Sequence, residues 1–193
     1  MSRSADKERS LLRILDAAAR RLREEGLTGA AIASVMHDAG LTHGAFYSHF
    51  GSKEQLSVAA FRHALITGRA AWIGVKKDRS WVARVRRLAQ HYLNPLHRDD
   101  RTGGCPFAAV GADASRAPES FRAGYQEELV KSLDAIAGGA SCVSTRFEDA
   151  IAMIAICLGG LTLARSVADR DLSDRILKVC RRAAIGLAES AET

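Results

Sequence analysis

Proline is scarce in this chain of 193 residues, with only three, at positions 95, 106 and 118. So few breakers, beside abundant Ala, Leu, Arg and Glu, exclude a turn-rich β protein and favour long helices. The four cysteines, at 105, 142, 157 and 180, form no C-x-x-C pair. That excludes a zinc ribbon or a dense disulfide scaffold and leaves reduced thiols as the expectation. Long apolar runs are missing too. The longest uncharged stretch, Ala150 to Ala164, has fifteen residues, short of the roughly 20 that span a bilayer. The first ten residues are charged and have no apolar signal core. A soluble, cytoplasmic protein with no membrane partner is expected. Catalytic motifs are also lacking: no nucleophile elbow, phosphate loop, H-E-x-x-H or carboxylate dyad. His37, His43 and His49 recur every six residues, which does not gather them on one helical face. No catalytic residue, metal or cofactor is expected.

Positive charge is present in excess, with a net charge of +6. This permits a polyanionic partner without requiring one. Its distribution is uneven. Residues 1–53 carry eight Lys/Arg against six Asp/Glu, whereas residues 62–101 carry ten against three. The more basic segment has three readings, a position near DNA, a site for an acidic ligand or a solvated face, of which the last is favoured.

The stretch around which the chain is organised is Gly40 to Lys53. Gly40 closes a preceding helix and a short helix follows, from about Thr42 to Phe50. After Gly51, Ser52 caps the next helix, with Gln55 as its capping-box partner. Phe46 and Phe50 are four apart and share a face suited to packing. Thr42, His43, Ala45, Ser48 and His49 fall on the other face. A short helix braced by aromatics under a polar face suits a recognition helix. On spacing alone it is equally a polar surface helix of any helical protein.

The residue identities go further. Gly-Leu-Thr-x-Gly-Ala-Phe-Tyr-x-His-Phe-Gly-Ser-Lys-Glu-x-Leu at 40–56 resembles the recognition segment of TetR-family transcriptional regulators, and the resemblance extends over roughly residues 8–65. It implies an all-α fold. An N-terminal three-helix helix-turn-helix domain (1–53) would bind DNA, and a C-terminal helical bundle (54–193) would bind ligand and dimerise, with about nine helices in all. By resemblance, Thr42, His43, Gly44 and Ala45 approach base edges or the groove floor. Tyr47, Ser48 and His49 contact phosphates or groove walls, and Lys53 holds a phosphate. Arg3 and Lys7, in a polar tail, are further phosphate contacts. Arg, Asn and Gln are absent from the recognition face, so base reading falls to His43, apolar contacts and DNA shape. The family's Thr/Ser pair opening helix two is Ala30-Ala31 here, and Ala33 replaces a polar position. The lost cap costs about 1 kcal/mol, with Thr28 or Gly29 expected to take over part of it. Ser34 and the backbone amides remain for phosphate.

Elsewhere the pattern gives helices at about 8–25, 31–39, 52–75, 81–96, 119–137, 145–168 and 172–188. Gly104-Cys105-Pro106-Phe107 resembles a segment of one TetR-like subgroup. Cys105 stands at a helix start, where a thiolate is stabilised; it is either an oxidant or electrophile sensor or a small buried cap residue. The resemblance places an effector pocket among the middle helices. Phe61, Leu65, Trp72, Tyr92 and Cys105 are candidate walls, with Phe107, Phe121, Tyr125 and Met153, suiting a moderately apolar small molecule. In the last helix Leu172, Ile176, Val179, Ala183 and Leu187 recur at near-heptad spacing. With the largely apolar helix before it, this predicts a homodimer through the last two helices, and the family's twofold dimers read near-palindromic operators. The implied function is a repressor released by a small molecule. The alternative is a helical ligand- or protein-binding module that no longer reads DNA.

Overall fold

The computed structural model describes residues 3–73, 78, 80–138 and 145–191, with Arg3 and Ala70 as backbone only. The expected end of helix four at Val75, the glycine at 139 and Cys142 lie outside the described residues. Among the described residues there are ten α-helices, one 3-10 turn and no strand. The helices are α1 (Arg3–Glu25), α2 (Ile32–Asp38), α3 (His43–Phe46), α4 (Lys53–Trp72) and α5 (Trp81–Tyr92). They continue as α6 (Pro95–Asp99), α7 (Pro106–Ala114), α8 (Glu119–Ala137), α9 (Thr145–Ser166) and α10 (Arg170–Ser190). The 3-10 turn, Gly26–Ala30, joins α1 to α2.

Several boundaries correct the sequence reading. The tail expected at residues 1–7 is helical from Arg3 onwards. Helix three is one turn, and residues 47–49 follow as turns closed by His49 and Phe50 N–H groups donating to the Phe46 carbonyl at 2.9 Å. Helix five ends at Tyr92, and Pro95 opens a separate helix capped by Asn94, whose side chain accepts the His97 N–H at 3.0 Å. Proline stops a helix that enters it but starts one that leaves it. Arg98 sits within α6 and is 5% exposed.

The chain forms two compact units, Met1–Gly68 with Thr102–Glu128, and Arg69–Arg101 with Leu129–Thr193. In the first, Ile14, Ala18 and Leu22 of α1 are buried with Val35 and Met36 of α2, Phe46, Phe50, and Leu56, Ala60 and Phe61 of α4. Phe107, Val110 and Phe121 from α7 and α8 are buried in the same unit. Packing within the unit therefore crosses residue 53.

In the second unit α9 packs on α10, with α5 against both. Gly160 makes a close approach there, since a Cβ would lie 2.8 Å from that of Cys180 and 3.1 Å from Leu93. Arg98 anchors α6: Nη1 donates to Ser173 Oγ at 2.9 Å and to Asp174, and Nε donates to Asp99 at 2.8 Å. Arg98 and Arg170 hold the Asp99 carboxyl down to about 2. By length and composition α9 is long and apolar enough to cross a membrane, which the fifteen-residue uncharged run did not suggest. In this fold Met153, Ile154, Cys157, Leu161 and Ala164 line the core.

Candidate functional site

Three helix ends shape the recognition segment. Gly40, at φ +63°, closes α2: its N–H donates to the His37 carbonyl and that of Leu41 to the Met36 carbonyl, both at 2.9 Å. This is a Schellman closure, which requires the left-handed backbone that glycine supplies. Arg13 Nη2 donates to the Gly40 carbonyl at 3.2 Å, fixing the corner to α1. Beyond α3, the Gln55 N–H donates to Ser52 Oγ at 3.2 Å and Gln55 Oε1 accepts the Gly51 N–H at 2.8 Å. The expected Ser52 cap is present, but Gln55 returns its bond to the N–H of Gly51 rather than to that of Ser52. At α2 the side-chain cap is lost, as Ala30-Ala31 implied: Ala31 offers no side-chain acceptor. Thr28 does not replace it, because its hydroxyl donates to the Glu25 carbonyl at 2.8 Å. Instead α2 is held at its far end, where the Asp38 carboxylate accepts from Arg20 at 3.0 Å and Arg21 at 3.2 Å.

Phe46 and Phe50 are buried and stacked, 5.8 Å between centroids. Above them Thr42, His43, Gly44, Tyr47, Ser48 and Lys53 are exposed, while Ser34 and Ala45 are half-buried. Tyr47 is 65% exposed and braced edge-on by His43 at 5.7 Å. A large aromatic held out into solvent has its hydroxyl available to a partner. Ser48 differs, because its hydroxyl donates to the Ala45 carbonyl at 2.7 Å, leaving its oxygen an acceptor. His49 turns back to α1, with Nε2 2.8 Å from Ser10 Oγ. Burial lowers its pKa, and the nearby Lys7 charge adds to this. His49 thus ties the end of the recognition segment to α1. Ser10 was missed in the sequence because 39 positions separate the two and no periodicity links them.

The structure brings some of the expected effector walls together. Phe61 packs on Phe107 (5.3 Å), Phe121 (5.5 Å) and Tyr125 (5.4 Å, interplanar 12°), and Phe107 meets Tyr125 edge-on at 5.0 Å. Leu65 is buried in the same unit. Cys105 is the half-buried N-cap of α7, as expected, but its side chain makes no capping bond. Burial raises the Tyr125 pKa, with a contribution from Cys105. Trp72, Tyr92 and Met153 belong to the second unit. There Trp72 lies 4.9 Å from Tyr92 and its Nε1 donates to the Leu88 carbonyl at 3.2 Å.

Residues 14–60, the stretch holding this geometry, match the family model described as bacterial regulatory proteins, tetR family. That stretch is of the TetR-family N-terminal type. The N-terminal part of the chain is a helix-turn-helix DNA-binding domain. Solved structures share the fold of this chain over nearly its whole length. A TetR-family transcriptional regulator from Cytophaga hutchinsonii is 19% identical, with a TM-score of 0.71, 98% of this chain covered and 97% of that one. Reduced NemR from E. coli is 18% identical, with a TM-score of 0.72 and coverages of 92% and 96%. A TetR transcriptional regulator from Chloroflexus aurantiacus is 20% identical, with a TM-score of 0.71 and coverages of 92% and 95%. No curated protein matches the sequence.

Proposed function

We propose that this chain is a cytoplasmic, non-enzymatic repressor of the TetR family that reads a near-palindromic operator as a homodimer and releases it when a small molecule binds. The observation that carries the reading is the recognition segment, a buried Phe46–Phe50 stack under an exposed face of Thr42, His43, Gly44, Tyr47 and Ser48. Tyr47 and Lys53 take phosphates, as does Lys7 on α1. His43 and the small residues Gly44 and Ala45 meet the groove floor, and Ser34 meets the backbone from α2. His49 acts by holding the segment against Ser10. Residues 1–53 form the reading head, and 54–193 bind effector and partner.

Dimerisation is assigned to α9 and α10. Leu172 and Val179, with Ile151 and Leu163, are between 44% and 57% exposed, and Ala183 and Leu187 continue the row on α10. An apolar face of this extent on two adjacent helices favours a second copy. The effector is assigned to the aromatic cluster of Phe61, Phe107, Phe121 and Tyr125, with Leu65 and Cys105. Ligand binding shifts the population towards dimers whose heads are wrongly spaced for the groove.

The test is the double variant Tyr47→Ala, Lys53→Ala. Both side chains are exposed, so the fold and the dimer survive. DNA affinity falls at least tenfold, taking each phosphate contact as on the order of 1 kcal/mol. Unchanged affinity would remove both residues from the interface. The uncapped start of α2 favours a second reading, a helical module that no longer reads DNA. Sequence-independent, weak binding of every fragment would select it.

A further inference from the structure

Arg98 and Arg101 end the basic segment at 62–101, and the fold sets them beside two arginines from α9 and α10. Arg98, Arg101, Arg165 and Arg170, with Asp99 and Ser173, line an open cleft of about 230 Å³. It lies where α6 meets the corner between α9 and α10, entirely within the second unit. The aromatic cluster assigned to the effector belongs to the first unit. Pockets for drug-sized ligands run to roughly 300–1,000 Å³ and are mostly apolar. This cleft is smaller and its lining is mostly polar. It suits a small ion that keeps part of its water.

The donors lining it define the ion. A guanidinium carries five N–H donors in a planar fork. Arg98, 5% exposed, spends four of them, two on Asp99 and one each on Ser173 and Asp174. Arg165 is fixed by the carbonyls of His97 at 2.8 Å and of Arg98 and Asp100 at 3.0 Å. Arg170, 71% exposed, spends two donors, both on Asp99 at 3.1 Å. Arg101 is exposed and makes no hydrogen bond or ion pair among the described residues. Asp99 is the one carboxylate in the lining, and Asp174 meets Arg98 from outside it. Asp169, next to the cleft in sequence, is turned to the Leu172 N–H as the cap of α10. The positive surroundings are felt by Asp99, whose carboxyl Arg98 and Arg170 hold down to about 2. All four cations are arginine and none is lysine. The arginine fork matches the paired oxygens of carboxylate and phosphate, whereas lysine offers a point charge. Two exposed forks with donors to spare, on Arg101 and Arg170, match an ion with two negative charges. We propose that this cleft binds a small dianionic oxyanion, of phosphate or dicarboxylate type. Arg101 and Arg170 take it from the solvent side, and Arg98 and Arg165 supply the fixed positive wall. Its occupancy ties α6 more firmly to the α9–α10 corner that Arg98 already clasps.

The full chain is titrated at pH 8 with inorganic phosphate, malonate or acetate, each replacing chloride at constant ionic strength. The backbone amide NMR signals of Ala168 and Arg170, which line the cleft, are followed. Phosphate or malonate shifts them saturably, at least tenfold more tightly than acetate. Arg101→Gln weakens this binding at least fivefold, and the fold is kept because Arg101 bonds to no other described residue. Arg122→Gln, which removes the same charge from α8 in the first unit, changes it by less than twofold. Tighter binding of phosphate than of malonate assigns a phosphate-type ligand, and the reverse a dicarboxylate; each supports the site. Shifts that grow without saturating, or acetate binding as well as both dianions, would mean general screening of surface charge and overturn it. Equal effects of Arg101→Gln and Arg122→Gln overturn it too. The titration reads no DNA, so its failure leaves the repressor reading in place, and a chain that binds no DNA leaves the cleft in place.

Discussion

His97 illustrates how single side chains set the pH behaviour of the second unit. Its Nδ1 donates to the Tyr92 carbonyl at 2.7 Å and its ring meets Tyr92 edge-on at 4.5 Å. Burial lowers its pKa, and the Arg165 and His91 charges lower it further. The native state therefore keeps it neutral, whereas in the unfolded chain it takes a proton near pH ~6.5. The stability it contributes is present above that value and is lost as pH falls through it towards the lower native pKa. Thermal unfolding should occur at progressively lower temperature between pH 7 and 5, and less steeply in His97→Gln. An equal slope in the variant would assign the pH dependence to other groups. What could be read from sequence at this scale was local. Phe46 and Phe50 are one helical turn apart, so their shared face follows from spacing. Ser10–His49 and Leu27–Asp113 are 39 and 86 positions apart, and only the tertiary fold brings them together.

Among the elements, ends matter more than middles. Gly40 closes α2 in a left-handed conformation, and a Cβ there would lie 2.6 Å from Arg13 Nη2. Gly40→Ala should lower stability by about 1–2 kcal/mol, measured by denaturant unfolding. A neutral result would mean that the closure relaxes without cost. This glycine, the Ser52 cap and the span of α8 were legible because each is signalled within a few residues. The split of α5 from α6 was not, because Asn94-Pro95 serves equally to stop one helix and to cap the next. The shortness of α3 was also hidden. Its hydrogen bonds tighten into turns after Phe46 without any helix-breaking residue until Gly51.

At the scale of the whole molecule the reading requires a second copy, because one short recognition segment contacts only half of a twofold operator. Val179→Glu with Leu187→Glu places two charges on the exposed row of α10 and should yield a folded monomer by sedimentation, with operator affinity greatly reduced. A dimer that persists would move the interface away from this face. The exposed apolar row of α10 was legible as surplus apolar periodicity, whereas the separation of the candidate effector walls into two compact units was not, since composition alone does not group aromatics in space. The central claim is sequence-selective DNA reading, and selection of bound fragments from the source genome tests it most directly, followed by titration of the best fragment at two salt concentrations. The account predicts enrichment of one near-palindrome, with affinity falling steeply as salt rises. Uniform weak binding without enrichment would contradict it.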